Sequence, residues 1–325
     1  MGQRRELFRA DVKGLLAAFV MAIFPALTSA DSARWAEQEI RTQELRGTLT
    51  LPSGTGRVPA VLILAGSGPV DRNGNLPGMT NNSLMLLAHG LAAQGIASIR
   101  VDKRGIGASQ TVRESDLRFT TYVDDAVAWI EVLRSQPRVE KLVLLGHSEG
   151  ALVATLAAQQ EDVDALILVA GASEPAARII ERQLADAGLP GALQAQSRSI
   201  TDRLELGAAV ATIPPELHPL YRPSVQNYLM SWFRLDPSLE LSRVHRRKLV
   251  VQGTTDLQVN VGDARRLAAF HASSELLLID GMNHVLKEAP VERVQNLQTY
   301  SVPDLPLAPA LVPAIVQFVE SLSLQ

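Results

Sequence analysis

No cysteine occurs in the 325 residues. Disulfides, thiolate metal sites, a cysteine nucleophile and a lipobox-type lipid anchor are therefore excluded, and stability has to come from packing. Long basic runs are missing as well, and the formal net charge is −3. Without clustered Lys and Arg to neutralise phosphates, a nucleic-acid partner is not expected. Neither an internal repeat nor an extended low-complexity segment is present. What remains is ordinary globular composition, 46% apolar and 20% charged, in a chain long enough to bury a large core.

The amino terminus follows the order of a secretory signal. Arg4, Arg5, Arg9 and Lys13 precede an uninterrupted apolar run over residues 15–24, followed by Pro25 and the small residues Thr28-Ser29-Ala30. As a helix that run would span about 15 Å, roughly half a bilayer core, which favours a signal over a membrane span. Cleavage after Ala30 is expected, with an uncleaved amino-terminal anchor as the alternative. Cleavage would remove four basic and two acidic residues and take the formal charge from −3 to −5. The mature chain is expected to be exported, periplasmic or secreted, with no stable membrane span.

Beyond the signal, strand and helix patterns alternate. Strands are expected over 39–44, 46–51, 58–64, 96–101, 141–145, 165–170, 248–252 and 276–279, and helices over 82–94, 123–133, 151–158, 263–270 and 311–322. Such alternation predicts an α/β fold with a mostly parallel sheet covered on both faces. The rhythm breaks over 173–247, where Ile179, Leu184, Leu189 and Leu204 suggest helices and six prolines, from Pro190 to Pro237, interrupt them. This stretch reads as a helical insertion dividing the core into residues 31–172 and 248–325.

The stretch Gly146-His147-Ser148-Glu149-Gly150 sets a hydroxyl, an imidazole and a carboxylate side by side. A serine on a sharp turn between a buried strand and a helix is held out at the carboxyl edge of the sheet, and Gly146 and Gly150 meet the steric demand of that turn. Serine needs a base, and the base needs an orienting group. Adjacent side chains on a tight turn diverge, so His147 cannot easily serve Ser148, and packing is its expected role. His89, His218, His245 and His271 lie in helical, inserted or basic surroundings. Only His284 follows a late apolar strand, on a loop expected at the edge that carries Ser148. For the orienting acid, Asp256 follows the strand over 248–252 on a turn opened by Gly253, and Glu174, after the preceding strand, competes with it. Backbone donors for an oxyanion are expected at Glu149 and at Ser67, the latter between Gly66 and Gly68; an ordinary Gly-Pro turn is the other reading of that loop.

These motifs, together with Asp102-Lys103-Arg104-Gly105-Ile106-Gly107-Ala108-Ser109, QGTTDLQV around Asp256 and GMNHVL around His284, resemble the α/β-hydrolase superfamily over essentially the whole mature chain. The segment from Ala65 to Asn75 looks like the oxyanion loop of a bacterial esterase group close to the serine-aminopeptidase-like hydrolases. The resemblance implies an α/β-hydrolase fold with a helical cap insertion, a triad of Ser148, Asp256 and His284, and oxyanion donors at Ser67 and Glu149. It departs from the common pattern at Ala65, where a histidine often stands. Asp71 and Arg72 read as a structural turn. The implied reaction is acyl transfer to water on a small-molecule ester, with no metal or organic cofactor required, and a peptidase or amidase of the same fold is the alternative. A non-catalytic binding protein on this scaffold is the third reading, against which the intact triad pattern argues. Tyr228, Leu229, Met230, Trp232 and Phe233 form an apolar cluster that either shapes a substrate pocket or packs as the insertion's own core.

Overall fold

The computed structural model describes residues 34–110, 112–270 and 273–322. The expected signal over 1–30 and its cleavage site, like His271, lie outside the described residues.

Eight strands form one sheet: β1 (Trp35–Thr42), β2 (Leu45–Pro52), β3 (Val58–Leu64), β4 (Ala97–Val101), β5 (Val139–His147), β6 (Ala165–Val169), β7 (Arg247–Gly253) and β8 (Ser274–Ile279). Their order is β1-β2-β4-β3-β5-β6-β7-β8. The first two strands form a hairpin that joins β4 antiparallel, and every pairing from β4 through β8 is parallel. Parallel strands need crossovers, and the helices that supply them bury both faces of the sheet.

Alternation along each strand divides the core into two layers. Leu62, Leu144, Leu166 and Val250 face one layer, and Val61, Ile63, Val143, Leu145, Ile167 and Val251 face the other. The first layer is closed by α2 (Phe119–Arg134) and α3 (Glu149–Gln160), which contribute Trp129, Ile130, Leu152 and Ala154. On the opposite side Leu84, Leu87 and Leu91 of α1 (Ser83–Ala93) meet a helix over Leu311–Ser321.

Five helices lie between β6 and β7: α4 (Ala176–Asp186), α5 (Gly191–Glu205), α6 (His218–Tyr221), α7 (Gln226–Phe233) and α8 (Pro237–Ser242). The prolines of this stretch open helices instead of interrupting them. Pro190 caps α5, Pro219 stands in the first turn of α6, and Pro237 begins α8 behind Asp236, whose side chain accepts from Ser238 N and Leu239 N. A first-turn position needs no N–H, so proline costs nothing there. The chain closes with α9 (Val261–Ala269), α10 (Arg293–Gln298) and α11 (Leu311–Ser321). No helix among the described residues is long and apolar enough to cross a membrane.

Candidate active site

Strand β5 delivers Ser148 straight into α3 with φ 55° and ψ −120°, a conformation that L-residues rarely adopt. The bend survives because its neighbours lack side chains. A Cβ on Gly146 would sit 2.1 Å from the Gly150 carbonyl oxygen, and one on Gly150 would sit 2.3 Å from that of Leu64. The Ser148 N–H donates to Val169 O at 2.9 Å, fixing the turn to the neighbouring strand.

Asp256 and His284 leave the carboxyl ends of β7 and β8. Their loops approach closely at Gly253, where a Cβ would lie 1.8 Å from the Met282 carbonyl oxygen. His284 Nδ1 and Asp256 Oδ2 are 2.8 Å apart, with side chains 6% and 1% exposed. The other carboxylate oxygen accepts from Gln258 N at 2.7 Å and Val259 N at 3.0 Å, and Gln252 Nε2 donates to Oδ2 at 3.0 Å. Burial alone would raise the Asp256 carboxyl; the His284 partner and the two backbone N–H groups outweigh it and hold the carboxyl below its ordinary value.

Ser148, His284 and Ser67 line one small pocket of about 70 Å³, together with Gln258 and Tyr300. Ser67, Ser148 and Glu149 also line a larger cavity of about 380 Å³ that runs under the inserted helices, walled by Leu152, Ile179, Leu229 and Trp232. The apolar cluster expected in the insertion thus divides. Tyr228, Leu229 and Trp232 face this cavity, while Phe233 is core and Met230 packs against it.

His147 is buried beside the bend. Its Nε2 donates to the His284 carbonyl oxygen at 2.8 Å, and the two rings lie 4.8 Å apart. Burial, with the His284 ring adding to it, pushes the His147 imidazole down to about 3, so it stays neutral. Glu174 is remote from this chemistry in its bonding, with its carboxylate held by Arg182 and Arg266, each at 2.9 Å. His89 stacks on Trp35 and meets Glu37 at 2.9 Å. Asp71 closes a turn by accepting from Asn73 N and Asn75 N, and Arg72 pairs with buried Asp102 at 2.7 Å.

Two supporting groups escape sequence reading. Gln252, wholly buried at the end of β7, holds Asp256, and its only signal is a polar residue closing an apolar strand. Lys103 stands in the motif Asp102 to Ser109, but its role shows only in its partners, Gly66 O on the loop after β3 and Glu149 at the start of α3.

A strained serine between strand and helix at the carboxyl edge of a mostly parallel sheet, with a His–Asp pair from the loops after β7 and β8, gives the chain an α/β-hydrolase fold. A family model described as "Serine aminopeptidase, S33" matches residues 78–209. Esterase EstD of Thermotoga maritima is 26% identical over 281 residues, which cover 82% of this chain. The chain spans 65% of that relative's length. Among solved structures, Est1E of Butyrivibrio proteoclasticus with ferulic acid bound is similar at a TM-score of 0.56 and 16% identity, covering 88% of this chain and 98% of that one. A thermophilic esterase of Thermogutta terrifontis is similar at 0.53 and 18% identity, covering 88% and 99%.

Proposed function

We propose that the protein is a serine hydrolase that cleaves carboxylic esters through an acyl-enzyme. Ser148 attacks the carbonyl carbon while His284 takes the hydroxyl proton, and Asp256 holds the imidazole in the tautomer that leaves Nε2 free to accept it. The Ser67 and Glu149 N–H groups bind the oxyanion. His284 then protonates the leaving alcohol, and a water, deprotonated in turn by His284, releases the acid. The observation that carries this reading is His284, buried and paired with Asp256, in the same pocket as a serine held at φ 55°.

Esterase chemistry is favoured over aminopeptidase chemistry by the cavity wall. An aminopeptidase needs a carboxylate free to meet the substrate amine. The acidic residues lining the larger cavity, Glu149 and Glu174, are both engaged, the first with Lys103 and the second with two arginines. Ester specificity also accords with the relatives named esterases. A fluorophosphonate probe is expected to label the protein stoichiometrically and to fail on Ser148→Ala. Hydrolysis of p-nitrophenyl esters well above aminoacyl anilides is expected alongside, and the reverse preference would return the peptidase reading. Export is proposed from the pattern of residues 1–30 alone, and the mass of the protein recovered outside the cytoplasm tests it.

A further inference from the structure

Lys103, on the loop after β4, reaches the peptide that joins Gly66 to Ser67. Its ammonium donates to the Gly66 carbonyl, lies 3.0 Å from Glu149 Oε1 and 3.5 Å from Gly68 O, and stands 4.9 Å above the Tyr122 ring. The pair is sequestered, with side-chain exposures of 9% for Lys103 and 1% for Glu149. Desolvation largely offsets the attraction within a buried ion pair, so stability is a weak reason for placing one here.

The two atoms that the ammonium holds suggest a stronger reason. In a trans peptide the C=O and N–H lie in one rigid plane and point in opposite directions. A cation fixed on the Gly66 oxygen therefore fixes the direction of the Ser67 N–H. It also draws electron density toward that oxygen and makes the N–H a better donor. Through the Glu149 carboxylate the same ammonium is tied to the first residue of α3, whose N–H has no partner within the helix. Both expected oxyanion donors are thus braced by one side chain.

We propose that Lys103 is a positioning residue for the oxyanion hole, setting the angle between the Ser67 and Glu149 N–H groups and strengthening the first through its own peptide. The inference rests on the serine-hydrolase reading above. Because negative charge on the carbonyl oxygen grows on the way to the transition state, the effect belongs in kcat more than in KM.

The test begins with fluorophosphonate titration of the wild type. No Ser148-dependent labelling overturns the hydrolase reading and this proposal with it; labelling followed by unaltered variants overturns this proposal alone. Lys103→Met is expected to lower kcat per titrated site by about 10- to 100-fold, somewhat less than outright loss of a donor. Its KM should stay within about threefold. In a trapped acyl-enzyme the carbonyl stretching frequency should rise toward its solution value, because weaker donors polarise the bond less. Lys103→Arg, which keeps the charge, should recover most of the rate. A lysine that only stabilised the fold would lower the titratable fraction and leave kcat per site and the carbonyl frequency at wild-type values, and that result overturns the proposal. If Lys103→Met gives no folded protein, Lys103→Gln is read by the same two measurements, and an unshifted carbonyl frequency in it overturns the proposal equally.

Discussion

Asp256 accepts hydrogen bonds from Gln258 N, Val259 N, Gln252 Nε2 and His284, so all its lone-pair directions are claimed by donors. Such a site suits an ionised carboxylate and nothing else. In Asp256→Asn one oxygen becomes an amino group, which would face either the backbone N–H groups or the imidazole nitrogen it should receive from. The imidazole tautomer would then be reversed. Under the proposed mechanism kcat should fall by about a thousand- to ten-thousandfold, while fluorophosphonate labelling slows in parallel. Per-site turnover after titration checks this, and a loss below tenfold would mean that Asp256 does not orient the base. His147, by contrast, bonds the His284 carbonyl oxygen and not its ring, and packs beside the bend.

At the scale of elements, the inserted helices bring an apolar wall to the large cavity. Trp232 stands on it, stacked on Phe119 with centroids 5.7 Å apart. Trp232→Ala should open the cavity and shift the preferred acyl chain of p-nitrophenyl esters toward greater length, and an unchanged ranking across the series would assign the residue to packing. Strand and helix identity in the core was legible because apolar runs such as Leu142 to Leu145 are bounded by turn residues. Boundaries were less so. Strand β5 runs on through Gly146 and His147, which pair with Leu168 and Val169, although neither residue type reads as strand. The hairpin of β1 breaks at Gln43 and Glu44, and its edge strand begins at Trp35, ahead of the expected start at Glu39. Helix α2 begins at Phe119, where Thr121 Oγ1 accepts from Arg118 N at 3.1 Å. Helix α10 gave no signal at all. Its apolar residues Val294 and Leu297 are exposed, and buried Asn296 anchors it by donating to Thr255 O and Pro290 O.

For the whole molecule, acid sensitivity follows from His147. In the unfolded chain its imidazole takes a proton near the ordinary value of about 6.5, whereas burial in the folded chain pushes that value down to about 3. Between these limits the unfolded state binds more protons, so stability rises with pH through the window and is lost as pH falls through it. The slope contributed is at most about 1.4 kcal/mol per pH unit. Asp256 adds a loss of the same sign at lower pH, because its folded value lies below its unfolded one. Urea midpoints measured between pH 7 and 4 should fall more steeply for the wild type than for His147→Gln, and parallel curves would place the sensitivity elsewhere. The candidate site was readable from strand-end positions, since Ser148, Asp256 and His284 each follow an apolar strand. The supporting bonds were not, because the Lys103 and His147 contacts depend on segments distant in sequence meeting at one edge, and the Gln252–Asp256 bond, though local, depends on the fold of the turn between them.

The backbone at Ser148 has a further meaning. A non-glycine residue in such a conformation costs the fold about 1 to 3 kcal/mol, and glycine at the same position would carry little of that burden. On the proposed function, the chain holds its nucleophile against its own stability. On that reading, selection for robustness alone would favour glycine at this position, and only demand for turnover keeps serine in place.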